Sequence, residues 1–248
     1  MKGNLLFRLL KGLVSFIYPK MTLEGTQFLP DGPAVIVANH AQIHGPIAAE
    51  LYLPENCFIW CAGEMTRLRD VPAYAYRDFW SQKPRWTRPF YKVLSYLIAP
   101  LSAFLFQHAR IIPVFRDNRG IITFKTTLRR LTEGCKVVIF PEYDAPYNNI
   151  LADFQTKFVD IARIYYKRTG KALPFIPLYI TPTLGKMCFG TPIIYDPDSP
   201  PEEERFRVTT HLMRDISFTA RTLPCHTVIP YRNIRKRDYP KNHPEDLE

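Results

Sequence analysis

Apolar residues in this chain fall into short β-branched or aromatic runs separated by stretches with helical spacing. Four runs predict buried strands, at residues 33–39, 111–115, 136–140 and 175–180. Helical stretches lie between or after them, at residues 46–52, 89–106, 120–131 and 153–167. Such alternation predicts an α/β fold with a mixed, largely parallel central sheet flanked by helices.

Two further segments are apolar but carry charge. Residues 1–20 set Lys2, Arg8 and Lys11 among leucines, which predicts an amphipathic helix that lies in a membrane interface or packs as an ordinary first helix. In residues 80–106, aromatic and basic side chains precede fourteen uncharged residues. That run is shorter than the roughly 20 residues needed to span a bilayer, so an interfacial helix or a buried core helix is expected.

The last predicted helix has apolar residues at intervals of four, Val208, Leu212, Ile216 and Ala220. The residues after 231 are basic and carry no apolar stripe, which predicts an irregular surface segment. The predicted organisation is therefore an amphipathic helix over 1–20, one domain over 21–231 and a basic tail over 232–248.

The chain has 248 residues and a net charge of +10, which favours a polyanionic neighbour. Because the basic residues form no recognised nucleic-acid module, an anionic membrane surface is predicted and a nucleic acid is not. Five cysteines, an odd number in mostly apolar contexts, indicate reduced thiols in a reducing compartment. No metal is predicted, since no second metal-type pair follows Cys57 and Cys61, and since Gly45 and Pro46 place His40 and His44 in a loop that enters a helix and not on one helical face.

Candidate chemistry lies where three predicted strands end. Asn39-His40 follows the first strand, Arg116 follows the second, and Pro141-Glu142 follows the third. Because strand ends on one edge of an α/β sheet converge, His40, Arg116 and Glu142 are expected to share a cleft. A histidine with a pKa near 6.5 can take a proton from a hydroxyl, so the set suits acyl transfer to an alcohol.

The order of these motifs resembles the lysophosphatidic acid and related glycerolipid acyltransferases. Asn-His after a strand, an Arg ending a strand, Phe-Pro-Glu and a proline-containing strand occur here between about residues 22 and 192. The resemblance implies His40 as general base and a thioester donor, acyl-CoA or acyl carrier protein, without any cofactor. It also implies a role in phospholipid biosynthesis and a peripheral position at the cytoplasmic face of the membrane. The residues implied to bind substrate are Asn39, Arg116, Phe140, Pro141, Glu142 and, on the acyl-donor side, Pro174 and Pro177.

The chain departs from the family at two places. The family has an orienting Asp five residues after the His, where this chain has Gly45, so Glu142 or Asp144 is predicted to orient His40 instead. The family's Gly-Thr-Arg after Phe-Pro-Glu is here Tyr143-Asp144-Ala145. Retention of His40, Arg116 and Glu142 favours an active O-acyltransferase, whereas Gly45 favours a catalytically inactive lipid or acyl-chain binding module on the same fold.

Overall fold

The chain folds as an α/β protein in the computed structural model, which describes residues 4–80, 83–115 and 117–243. The predicted fold class, a largely parallel sheet flanked by helices, is confirmed. The helices are α1 (Leu5–Ile17), α2 (His44–Tyr52), α3 (Val71–Ala75), α4 (Arg88–His108), α5 (Gly120–Thr132), α6 (Asp160–Thr169) and α7 (Pro201–Thr222). The strands are β1 (Thr22–Glu24), β2 (Ala34–Ala38), β3 (Cys57–Ala62), β4 (Ile111–Val114), β5 (Lys136–Ile139), β6 (Glu142–Pro146), β7 (Ala152–Phe154), β8 (Pro174–Thr181), β9 (Lys186–Phe189) and β10 (Ile193–Ile194).

The chain divides into two compact units. The first comprises Met1–Tyr18 and Trp60–Thr123, and the second comprises Pro19–Ile59 and Phe124–Glu248. The division into residues 1–20, 21–231 and 232–248 stays a prediction, because compactness alone does not define a unit that folds by itself.

The second unit is built on a sheet with β2 near its middle. Strands β5 and β8 run parallel to β2 on either side, and the order across the sheet is β1, β9, β8, β2, β5, β3. Every residue of β2 is buried, as expected for a continuous apolar strand in a sheet covered on both faces. Helix α7 packs on β8, and its buried residues include Val208, Leu212 and Ile216.

The first unit has a smaller core between α3 and α4. Met65, Val71, Ala99 and Ala103 form its buried cluster. Helix α4 contributes mainly small residues to this core, at intervals of four along one face. Its larger apolar side chains therefore point elsewhere.

Helices α1 and α4 of the first unit expose much of their apolar surface. The exposed large side chains are Leu5, Leu6, Leu9, Leu13, Val14, Phe16 and Ile17 on α1, and Phe90, Val93, Tyr96, Leu97 and Leu101 on α4. The two helices meet where the ring of Phe7 stacks on that of His108, with centroids 6.1 Å apart. The expected charged amphipathic helix is thus present as α1, which buries none of its residues.

Two expectations for the segment around α4 need correction. Residues Arg85–His108 form a helical stretch of 24 residues that is long and apolar enough to cross a membrane, judged by length and composition only. The estimate from fourteen uncharged residues was too short because the helix continues back through the basic lead-in. The alternative of a buried core helix is also wrong, since only 17% of the most apolar window is buried.

Other differences from the predicted elements lie at edges of the fold. The helix expected from residue 153 begins at Asp160, because residues before it form β7 and a single turn of 3-10 helix. Strands β1, β3, β6, β7, β9 and β10 were not predicted. Residues 232–243, the part of the predicted tail that the structure describes, contain no helix or strand beyond a short 3-10 turn at Lys236–Asp238, yet Asn242 among them is buried. All five cysteines are free thiols, and Cys225 is exposed.

Candidate active site

The site is built on the carboxyl end of β2, where Asn39 fixes the strand to its neighbour. Its side-chain amide donates to the carbonyl of Ile180 on β8 (3.0 Å), and its side-chain oxygen accepts from the N–H of Ile180 (2.7 Å). Asn39 is 2% exposed. The buried Asn39 side chain therefore has a structural role. It continues the pairing with β8 beyond the end of β2 and so fixes the position of the next residue, His40.

His40 is followed by a turn in an unusual backbone conformation. Ala41 and Gln42 have φ angles of 44° and 54°, in the left-handed region that L-residues other than Gly, Asn and Asp seldom adopt. The turn points the Gln42 carbonyl at the His40 ring, and Nδ1 lies 2.5 Å from that oxygen. Since a carbonyl can only accept, Nδ1 carries the proton and Nε2 is the basic nitrogen of His40.

The surroundings of the His40 ring are aromatic. Phe140 lies with its ring centroid 5.3 Å away and Tyr231 approaches edge-on at 5.5 Å. Burial lowers the pKa of His40, although hydrogen bonding to Gln42 acts in the opposite direction. The imidazole is therefore neutral at pH 7, the form that a general base requires.

Glu142 begins β6, directly after the buried strand β5, and is 4% exposed. One carboxylate oxygen accepts the backbone N–H of His40 (2.5 Å), and the other accepts that of Ala152 on β7 (2.7 Å). Burial raises the pKa of Glu142 to about 7, and these two hydrogen bonds hold it down from rising further. Glu142 thus clamps the His40 backbone to β7.

The prediction that Glu142 or Asp144 orients the imidazole is wrong in the arrangement the structure has. Glu142 binds the His40 backbone, and the ring proton goes to Gln42. Asp144 is exposed and pairs with Arg232, its carboxylate 2.7 Å from the guanidinium Nε. The physical reason is that the nearby backbone carbonyl already satisfies Nδ1, so no carboxylate is needed there.

Gly45 leaves no room for the family's aspartate. A Cβ on Gly45 would collide with the backbone oxygen of His40, and it would lie 2.8 Å from Cε1 of Phe140. The N–H of Gly45 donates to that same His40 oxygen at 3.0 Å. The tight turn and the missing carboxylate are therefore two aspects of one local structure.

The other predicted site residues occupy different places. Phe140 borders His40, Pro141 is buried beside Glu142, and Pro177 is buried in β8 with its carbonyl accepting from Gly190 (2.9 Å). Arg116 lies outside the residues that the structure describes. His40, Phe140 and Glu142 therefore lie close together at the ends of β2 and β5, and their roles as site residues stay predictions.

Three residues between positions 231 and 239 also contact His40 or Gln42, and the sequence did not predict them. Tyr231 contacts the His40 ring, the carbonyl of Arg232 accepts from the Gln42 side chain (3.1 Å), and the Tyr239 hydroxyl lies 3.2 Å from Oε1 of Gln42. No local pattern marked them, because their partners are almost 200 residues away in sequence.

The arrangement can take a proton and has no evident place for a metal. Over residues 4–80, 83–115 and 117–243, no group of three or more His, Cys, Asp and Glu side chains is arranged to hold a metal ion. His44, at the first turn of α2, has a pKa lowered by burial and then by Lys236. The chemistry of the cluster therefore centres on His40.

Comparison with known proteins gives one solved structure and no family assignment. No protein-family model and no curated protein matches the chain. The chain is similar to the crystal structure of the 1-acyl-sn-glycerophosphate (LPA) acyltransferase PlsC from Thermotoga maritima, with 15% sequence identity and a TM-score of 0.45. The similarity covers 84% of this chain and 76% of that one.

Proposed function

We propose that the protein is an O-acyltransferase that moves a fatty acyl group from a thioester donor to a hydroxyl of a lysophospholipid or related lipid. The observation that carries the proposal is the state of His40. Its Nδ1–H is held by the Gln42 carbonyl, so the basic Nε2 is left for substrate at the carboxyl end of a central strand.

The reaction follows from that geometry. Nε2 of His40 takes the hydroxyl proton of the acceptor while the oxygen attacks the thioester carbonyl. The tetrahedral intermediate then expels the thiolate, the C–S bond breaks, and the imidazolium returns its proton to the sulfur. Binding of the acceptor by Arg116 and by Phe140, Pro141 and Glu142 is an expectation from the family resemblance and belongs to the proposal.

The test is acyl transfer from a labelled acyl thioester to a panel of lysophospholipids and neutral alcohols. Both acyl-CoA and acyl carrier protein donors are supplied. His40→Ala should reduce turnover by about 10² to 10⁴-fold, the usual contribution of general base catalysis. His211→Ala is the matched control, because His211 lies on α7 and its Nε2 lies 2.9 Å from the Thr191 carbonyl. Equal losses in both variants would contradict the assignment.

A catalytically inactive lipid or acyl-chain binding module is the second candidate, and Gly45 in place of the family's Asp is the feature that favours it. Its expected result is absence of turnover with every donor and acceptor, together with saturable binding of a lysophospholipid. Binding that His40→Ala leaves unchanged would complete the case for that candidate.

The partner surface that we propose is an anionic membrane, contacted by α1 and α4. The exposed apolar side chains of both helices are accompanied by cations, Arg8 and Lys11 on α1 and Arg88 and Lys92 on α4. Apolar burial and cation attraction act together at a headgroup boundary, with about 1 kcal/mol per Lys or Arg near the surface. A peripheral attachment uses both.

Vesicle sedimentation tests the membrane proposal. Phe90→Glu should weaken binding to phosphatidylglycerol vesicles strongly, while Phe206→Glu on α7 should not, although the two phenylalanines are 65% and 72% exposed. Binding to phosphatidylcholine vesicles should be weaker and less sensitive to salt. Extraction at high pH distinguishes a peripheral protein, which is released, from a spanning one.

The cytoplasmic face is the proposed location, in agreement with five free thiols. Exposed Cys225 supplies the probe. A maleimide that cannot cross membranes should label it only after cells are lysed, and labelling of intact cells would contradict the location.

A further inference from the structure

We propose that the C-terminal segment, defined as residues 226–242, is a positioning element for His40, acting through the side chain of Gln42. Gln42 and Tyr239 are then positioning residues, and the Gln42 backbone carbonyl does the work of the missing aspartate. The inference rests on the proposed function for its meaning, but its first test does not need activity.

The Gln42 turn requires external support. Ala41 and Gln42 both adopt left-handed φ angles, a conformation that is strained for residues other than glycine. A turn with this strain persists only when contacts elsewhere favour it. If it relaxed, the Gln42 carbonyl would turn away and Nδ1 of His40 would lose its acceptor.

The side chain of Gln42 supplies that support through both ends of its amide. Its Nε2 donates to the Arg232 carbonyl at 3.1 Å, and its Oε1 accepts from the Tyr239 hydroxyl at 3.2 Å. A carbonyl can only accept, so the orientation of the amide follows from the Arg232 contact. Both partners belong to the C-terminal segment.

The C-terminal segment is itself anchored well enough to act in this way. Asn242 is 1% exposed, and its amide donates to the carbonyl of Ala220 at 2.8 Å at the end of α7. The N–H of Val228 donates to the Pro240 carbonyl at 2.9 Å, which closes the segment on itself. The pair between Arg232 and Asp144 ties its middle to the strand that begins with Glu142.

Steric room decides between this arrangement and a carboxylate. A side chain at Gly45 would collide with the His40 carbonyl and with Phe140, so an aspartate there would break the turn. The acceptor that orients the His40 ring is instead the backbone carbonyl of Gln42. The residues that fix this carbonyl lie in the C-terminal segment.

The first test observes the ring nitrogens of His40 directly. In protein labelled with ¹⁵N-histidine, the resonances of His40 are assigned by their absence in His40→Ala. The wild type should contain the Nδ1–H form alone. Gln42→Ala should give a mixture of both neutral tautomers, and Tyr239→Phe should give a smaller fraction of the second form.

Kinetics supply the second readout. Gln42→Ala should lower kcat by up to about 100-fold, since a misplacement of about 1 Å can cost that much, with KM nearly unchanged. Tyr239→Phe should lower kcat about five-fold, the value of one neutral hydrogen bond. Gln42→Asn keeps a residue that tolerates the left-handed region but is too short to reach, so it should resemble Gln42→Ala.

The control is Tyr166→Phe on α6, a tyrosine with no part in this network, which should match the wild type in both measurements. A wild type with the Nε2–H form, or a Gln42→Ala variant with unchanged tautomer and unchanged kcat, would overturn the inference. If acyl transfer is never found, yet the tautomer shifts as described, the proposed function fails and the positioning element stands. If Gln42→Ala does not fold, Tyr239→Phe carries the same test.

Discussion

Two histidines of the second unit share one local design and differ in what faces their second nitrogen. His40 and His226 each lie with Nδ1 against a backbone carbonyl, of Gln42 (2.5 Å) and Pro224 (2.8 Å). Each therefore carries its proton on Nδ1. Nε2 of His226 is occupied by the hydroxyl of buried Tyr179 at 2.8 Å, whereas Nε2 of His40 stands in the candidate site.

The backbone N–H groups of the two histidines repeat the contrast. That of His226 donates to the amide oxygen of Asn242 (2.8 Å), and that of His40 donates to the carboxylate of Glu142. One histidine is thus closed off by neutral groups and the other is held by a group that titrates near neutrality. His40 and His226 thus share a fixed tautomer, and the partner of Nε2 is what distinguishes them.

The largest expected effect is that the two histidine variants fail in different ways, His40→Ala in turnover and His226→Ala in stability. His40→Ala should lose about 10² to 10⁴-fold in turnover, and its loss of stability should come from the contacts of its ring, among them those with Phe140 and Tyr231. His226→Ala should keep turnover per folded molecule but lose about 1 to 3 kcal/mol, because the buried Tyr179 hydroxyl loses its hydrogen bond to Nε2 of His226. Steady-state assays and urea unfolding check both, and a His226→Ala variant that is stable but inactive would break the comparison.

Glu142→Gln makes the setting of His40 more like that of His226. An amide has one oxygen, so it can accept only one of the two N–H groups now bound, and the variant should lose about 1 to 3 kcal/mol. The pKa of Glu142 is raised to about 7 in the folded protein, above its usual value of 4.5. The contribution of Glu142 to the free energy of unfolding is therefore fully present below about pH 4.5 and is lost as pH rises through 7. The difference between wild type and variant, measured by urea unfolding from pH 4.5 to 8, should therefore be largest at low pH.

Acid should destabilise the protein through the histidines. Burial lowers the pKa of both His40 and His226 below the usual 6.5, so the unfolded chain takes up protons first as pH falls. Their contribution is complete above about pH 6.5 and is lost as pH falls through the lowered values, by at most about 1.4 kcal/mol per pH unit for each. The free energy of unfolding is measured from pH 7 to 5 in Glu142→Gln and in the double variant that also carries His226→Ala. The difference between their slopes against pH is the share of His226, and equal slopes would contradict it.

The smallest effect is expected for Tyr179→Phe. It removes the hydroxyl that occupies Nε2 of His226 and should cost about 1 kcal/mol, with activity unchanged. Thermal or urea unfolding measures the loss. Tyr195→Phe serves as a control, because it too is a buried tyrosine. A fall in turnover for Tyr179→Phe alone would mean that His226 takes part in the chemistry.

The sequence predicted the centre of the fold better than its edges. Strands β2, β5 and β8 were found because each is a continuous apolar run between turn residues, which is what burial on both faces requires. Short strands such as β9 and β10 pair through the backbone and carry no comparable pattern. The helix before Asp160 was overextended, since the pairing of β7 with β6 overrides local helical spacing.

The candidate site divides in the same way. His40 and Glu142 were found because side chains of recognisable chemistry follow buried strands. Gln42 was not found, since it orients the ring with a backbone carbonyl, a group that every residue has. Gly45 did mark a departure, but only the structure tells that the space for a side chain is already filled.

The contact between Gln42 and Tyr239 has a consequence for biosynthesis. Synthesis proceeds from the N-terminus, so β2 and His40 emerge from the ribosome long before residue 239, and 197 positions separate the two partners. On the arrangement proposed for the C-terminal segment, the nascent chain carries its histidine but lacks the contact that sets it. Catalytic competence is then gained only after residue 239 has been synthesised, when the sheet that supports the histidine has already been made.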